Sequence, residues 1–243
     1  MGKVKIKKKE TRIDMTAMSD VTVLLLTFFM LTSTFLQKEH ITVITPPSVS
    51  EEKVPDQNLF SVLVNPEGKV FLAITGSKDS TFKSETVRAD LLKKMNVEYN
   101  QAHPTAPVKL TNKEIETFSK IGAFGFPFKY IKEWLAVEDV TLRDKIQQGE
   151  EPLKVNGQSI RLAGIPIDMN EDPNKPNEFQ MWVRAAYNND NEELKSAMVK
   201  GKGIAIKADQ TTPYSVVNVV MDNLQTMKMN KFSLMTALKA EEE

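Results

Sequence analysis

The run from Met15 to Leu36 constrains this chain more than any other part of it. Its 22 residues are rich in Leu, Phe, Val and Met, and Asp20 is the one charged residue among them. A helix needs roughly 20 apolar residues to span a bilayer, so the run predicts a transmembrane helix over 15–36. A carboxylate at the centre of such a helix costs about 2.5–3.5 kcal/mol to insert. A plain anchor would carry Leu in its place. Intramembrane acids mark proton relays and ion pathways, which makes Asp20 the candidate proton carrier. The bland alternative is a structural acid that pairs with a basic group on a partner helix.

Two other readings compete for the run itself. A cleaved signal peptide shares the basic start (Lys3, Lys5, Lys7, Lys8, Lys9, Arg12). Its apolar core is shorter, about 7–15 residues, and a small-residue cleavage site follows it. Here Thr34-Phe35-Leu36-Gln37-Lys38-Glu39 follows. A buried helix of a soluble protein would not sustain so long an apolar run. The basic flank puts the N-terminus on the cytoplasmic side. In a bacterial chain this predicts a single-pass inner-membrane protein, with a cytoplasmic tail over 1–14 and a periplasmic C-terminal domain. The chain has no cysteine, which rules out disulfide staples and cysteine–zinc sites.

At 100° per residue Thr16, Asp20, Thr27 and Thr34 fall within an arc of about 40°. Polar groups in lipid need partners or a water-lined path. The stripe therefore predicts a helix enclosed by other helices, with Thr16, Thr27 and Thr34 facing a pore beside Asp20. Threonine hydroxyls also bond their own backbone carbonyls, so the three are weaker indicators than the acid.

After the helix, Thr42 to Asp56 is rich in Pro, Ser and charge and reads as part of an extended linker over 37–57. Asn58 to Val64 and Lys69 to Ile74 predict a hairpin around the turn Asn65-Pro66-Glu67-Gly68. Ser84 to Tyr99 has helical spacing, with Ser84 as cap. Thr111 and Glu114 form a capping-box pattern at the head of a further helix. Ile121 to Tyr130 is apolar, broken by Gly and Pro, and reads as core. A helix over Val137 to Gln148 and a loop over Asp168 to Asn177 follow. Glu178 to Lys200 reads as one helix or two, burying Trp182, Val183, Ala186, Leu194 and Met198. Gly203 to Ala208 predicts a strand. Asp209 or Thr212 caps the next helix, with Pro213 in its first turn and Tyr214, Val217, Val220, Met221 and Leu224 as its apolar stripe. Lys231 to Leu238 closes as a strand, and Glu241 to Glu243 form a solvated tail. The order predicts an α+β domain over 58–243, a small mixed sheet packed with helices.

No phosphate-binding loop, nucleophile elbow, zinc spacing or dinucleotide motif is present. Nothing points to an enzyme or to a bound cofactor. His40 and His103 lack helically spaced metal partners and read as surface or loop residues. Net charge is zero, with 32 basic and 32 acidic residues, and no basic face stands out for nucleic acid.

The run Asp14-Met15-Thr16-Ala17-Met18-Ser19-Asp20-Val21, continued through Leu24-Leu25-Leu26-Thr27-Phe28-Phe29-Met30, resembles the start of the ExbD/TolR family. Ile206-Lys207-Ala208-Asp209, Tyr214, Val216-Val217 and Val220-Met221-Asp222 resemble its last strand and helix. The resemblance covers roughly 8–95 and 203–238. It implies that Asp20 carries protons, the coupling ion. It also implies that the chain works with a second ExbD-like chain, identical or a paralogue, inside a pentameric ExbB-like ring, and that the outer domain acts on a TonB-like protein to energise outer-membrane transport. Val43 and Pro46 lie where the family has an extended, partner-binding segment after the membrane helix. TolR-like members instead serve envelope integrity. The related flagellar stators need a peptidoglycan-binding domain of the OmpA type, which is not seen here. Ala17 and Ser19 depart from the usual Pro and apolar residue without touching the acid. The stretch from about 100 to 200 is an insertion that typical, shorter members lack. A passive scaffold binding cell wall or a partner is the alternative from another class.

Overall fold

The computed structural model describes residues 15–32, 41, 43–48, 55–77, 82–235 and 237–238. The chain divides into two compact units, Met1–Glu39 and His40–Glu243. In the first, helix α1 runs over Met15–Thr32. Its 18 residues rise about 27 Å at 1.5 Å per residue. Among the described residues no helix is long and apolar enough to cross a membrane. The expected span continued to Leu36, and residues 33–36 lie outside the described ones.

The second unit is built on the predicted hairpin. Strand β1 is the pair Pro47–Ser48, and β2 (Leu59–Val64) and β3 (Val70–Thr75) pair antiparallel with Val64 opposite Val70. Between them Gly68 takes φ 75° and donates to the Asn65 carbonyl at 2.9 Å, while the Asn65 side chain accepts from the Lys69 N–H at 2.8 Å. Asn and Gly suit such turns because one bonds its own backbone and the other tolerates positive φ.

Helix α2 (Ser84–Ala102) follows. Its N-cap is Lys83, not Ser84 as expected. Ser84 already lies inside the helix, and its hydroxyl instead accepts from the Gly76 N–H at 3.1 Å, tying the end of the hairpin to the helix start.

The chain then runs through α3 (Asn112–Ser119), β4 (Ala123–Phe124), a single 3₁₀ turn, α4 (Ile131–Leu135), α5 (Val140–Gln148), β5 (Leu153–Val155) and β6 (Gln158–Ile160). The capping box at α3 is present: Thr111 Oγ1 accepts from Glu114 N, and Glu114 Oε2 accepts from Thr111 N at 2.6 Å. Helix α5 starts three residues later than expected because Asp139 caps it, accepting from Thr141 N at 2.8 Å. Sequence reading missed the small β5–β6 hairpin, although Asn156 and Gly157, both at positive φ, are the residues that a two-residue turn of this kind requires. Glu178 to Lys200 forms two helices, α6 (Glu178–Tyr187) and α7 (Glu192–Lys200). Asn191 breaks them by capping the second.

Strand β7 (Ile204–Ala208), α8 (Tyr214–Thr226), β8 (Ser233–Leu234) and β9 (Ala237–Leu238) complete the fold. Strand β7 lies parallel to β2, with Val62 beside Ile206. The main sheet is mixed, in the order β4-β3-β2-β7-β8. The expected closing strand over Lys231–Leu238 is split: β8 joins the main sheet, while β9 pairs with β1. Neither Asp209 nor Thr212 caps α8. Pro213 occupies the cap position without a side-chain bond, and Thr212 Oγ1 donates to the Asn65 carbonyl. Tyr214, expected on the buried stripe, is 73 % exposed, whereas Val217, Val220 and Leu224 are buried.

Side chains alternate across the sheet. Phe60, Val62, Val64, Leu72, Ile74, Ile204 and Ile206 face the helices and join Leu91, Leu92, Met95, Trp182 and Leu224 in one core. The stretch from about 100 to 200 belongs to this core. Phe124, on the sheet edge beside Leu72, packs 4.7 Å from both Phe118 and Trp182 between ring centroids. Deleting a buried Phe side chain costs about 3–5 kcal/mol. Phe124→Ala should lower unfolding free energy by about that much, read by urea denaturation of the full chain in detergent. Both tryptophans lie in the core of this unit, so their fluorescence reports it directly.

Candidate functional site

On α1, Thr16, Asp20 and Thr27 share one face, and all three are exposed in the single chain. Thr34 lies outside the described residues. Thr27 Oγ1 donates to the Leu24 carbonyl at 2.9 Å. Thr22 and Thr32, off the stripe, bond the Met18 and Phe28 carbonyls in the same way. Backbone bonding is therefore common to threonines on and off that face, and it does not single out Thr27. Asp20 is the one acid on an otherwise uncharged helix.

In the second unit the described part of the linker lies on the face of the sheet away from the helices. Ile41 and Val43 are buried against Phe71, with Leu63 and Ala123 alongside. Phe71 is held flat by Gly125, where an added Cβ would lie 2.2 Å from the Phe71 ring. Next along the linker, Ile44 exposes its side chain (60 %) but has both backbone groups engaged. Its N–H donates to Asp209 Oδ2 at 2.8 Å, and its carbonyl accepts from Gln210 N at 2.8 Å. Pro46 is half-buried, and Pro47 and Ser48 follow as a strand parallel to Ala237 and Leu238.

Asp209 is the centre of this latch. Its Oδ1 accepts from Thr211 N at 2.9 Å and from Thr211 Oγ1 at 2.7 Å. The Thr211 backbone and hydroxyl bonds, then the Ile44 N–H, hold its carboxyl below the ordinary value, because hydrogen bonds to a carboxylate favour the charged form. Sequence reading took Asp209 for a helix cap. The local Asp-Gln-Thr turn was legible as a side-chain turn, but the partner at Ile44 is 165 positions away.

A second carboxylate has the opposite environment. Glu178, at the start of α6, accepts from Phe128 N at 2.8 Å and so ties α6 to the apolar stretch that precedes α4. Burial pushes it up to about 7, offset only in part by that bond. Burial also raises the neighbouring Tyr99, with Glu178 and Tyr130 adding to the effect. His103 stacks on Tyr99 at 4.2 Å and is exposed, as expected of a loop histidine. His40 lies outside the described residues.

A model of the family described as biopolymer transport protein ExbD/TolR matches residues 7–115. The match takes in α1, the linker, the hairpin and α2. No curated protein and no solved structure matches the chain.

Removing the latch carboxylate in Asp209→Ala should speed amide exchange at Ile44 and Gln210 while leaving the β2–β3 amides protected, as read by hydrogen exchange. A depressed carboxyl stabilises above its unfolded value and loses that contribution as pH falls through its folded one. Protection of the Ile44 amide in the wild type, measured against the intrinsic exchange rate at each pH, should therefore fall in acid. Glu178 works the other way: its folded value is raised, so its contribution is complete below the ordinary carboxyl range and is lost as pH rises towards about 7. Glu178→Gln should be progressively more stable than wild type across that window, with the difference growing by up to about 1.4 kcal/mol per pH unit. Denaturation of both proteins at several pH values measures it.

Proposed function

We infer, from the match of residues 7–115 to the ExbD/TolR family model, that the chain is a proton-driven motor subunit of the bacterial inner membrane. That match supports the general role, a non-enzymatic subunit that energises biopolymer transport together with membrane-associated ExbB- and TonB-like proteins. Two ExbD-like helices stand in a pentameric ExbB-like ring, Asp20 binds a proton from the periplasmic side and releases it to the cytoplasm, and the resulting motion passes through the linker to the outer unit and on to a TonB-like partner.

The observation that carries this reading is the single acid on α1. Each charge that crosses the membrane potential releases roughly 2.3 kcal/mol per 100 mV, sufficient to bias a helix rotation. Thr16 and Thr27 on the same face supply polar company for a carboxyl that alternates between charged and neutral forms. Val43 and Pro46, in the linker segment beside Asp209, stand where motion of α1 along the chain first meets the folded unit.

Asp20→Asn keeps size and hydrogen bonding but removes proton carriage. In cells that carry only this variant, uptake of ferric siderophore and cobalamin should fall to background, while membrane level and ring assembly, checked by blotting and pull-down, stay normal. Normal uptake with a leaky, detergent-sensitive envelope would identify TolR-like work instead. Normal uptake and a sound envelope would overturn the motor reading in favour of a passive scaffold.

A further inference from the structure

The segment after α8 turns back against α6 and α7 and leaves a groove of about 370 Å³. Its apolar lining is Val183, Tyr187, Met198, Val199, Met227 and Met229. Three methionines in so small a space give an adaptable surface, since Met is unbranched and polarisable. Val199 is 57 % exposed, so apolar surface is open to an incoming group. The volume is at the small end of the roughly 300–1,000 Å³ of ligand pockets, suited to a few anchor side chains.

The charge around the groove has one sign. Arg184, Lys228 and Lys231 line it, and no acid does. Lys195 adds a fourth cation, its ammonium 5.4 Å from the Tyr187 ring centre. Arg184 is spoken for, bonded to Glu98 and to the Pro173 carbonyl. Lys195, Lys228 and Lys231 form no ion pair among the described residues. Two of the three walls, α6 and α7, come from the stretch that the family match does not reach.

We propose that this groove is a docking site for an acidic, amphipathic segment of a partner protein, whose Leu, Phe or Met anchors enter between α6, α7 and residues 227–231 and whose Asp and Glu residues meet Lys228 and Lys231. Apolar anchors in a groove supply the affinity, as in helix-in-groove recognition. Charge complementarity at the rim selects the partner and speeds encounter. The proposal does not depend on proton carriage by Asp20.

The test uses the full chain in nanodiscs of zwitterionic lipid, with empty nanodiscs as the blank. The probe is a short fluorescein-labelled peptide with Leu and Phe at helical spacing and Asp and Glu elsewhere. Its control replaces every acid by Lys. Fluorescence polarisation should show saturable binding of the acidic peptide and none of the basic one. The double variant Lys228→Glu with Lys231→Glu should raise Kd at least tenfold, and Val199→Asp, at an exposed position, should do likewise. Wild-type binding should weaken as salt shortens the screening length. Equal binding of both peptides, binding unmoved by the charge reversal, or no binding above the blank would each overturn the proposal.

Discussion

The parallel pairing of β2 with β7 is the constraint on which the second unit rests. Neighbouring parallel strands cannot be joined by a tight turn and need a long crossover. Here the crossover holds everything from β3 to α7. Because Val62 and Ile206 sit side by side at the sheet centre, the long excursion must return to the same core it left. It does so by placing Phe118, Phe124 and Trp182 against one another. The stretch from about 100 to 200 is thereby part of the hydrophobic interior.

The elements that the sequence showed plainly are those whose determinants are local. The β2–β3 turn, the Thr111–Glu114 box and the strand at 204–208 each rest on residues a few positions apart, and each is where expected. Misplaced caps have a common physical origin. Ser84, Asp209 and Thr212 are competent cap residues, but each found a better partner across the fold: Gly76, Ile44 and Asn65. Local pattern cannot rank a helix N–H against a backbone group brought alongside by tertiary packing. Asp20, in contrast, stands out in the sequence without reference to any partner, because an acid in an apolar run is anomalous.

Two carboxylates in the second unit show how environment assigns roles to one functional group. Asp209 is surrounded by donors and stays charged, so it can hold the backbone of the linker. Glu178 has a single backbone donor and apolar neighbours, which favour its neutral form. One fastens the segment that leads from α1, and the other fastens the start of α6. They respond to acid in opposite directions.

The described residues between Ile41 and Ser48 are the first part of the second unit that the chain reaches after α1. Along the chain from α1, Ile41 and Val43 come before β2. They hold the segment by two apolar side chains against Phe71, joined by the two hydrogen bonds of the Ile44 backbone. These contacts lie in series with the sheet, and they are few beside the six-residue ladder of β2 and β3. A pull applied at Ile41 would meet these contacts, and then the short pairing of Pro47 and Ser48 with Ala237 and Leu238, before it reached the sheet.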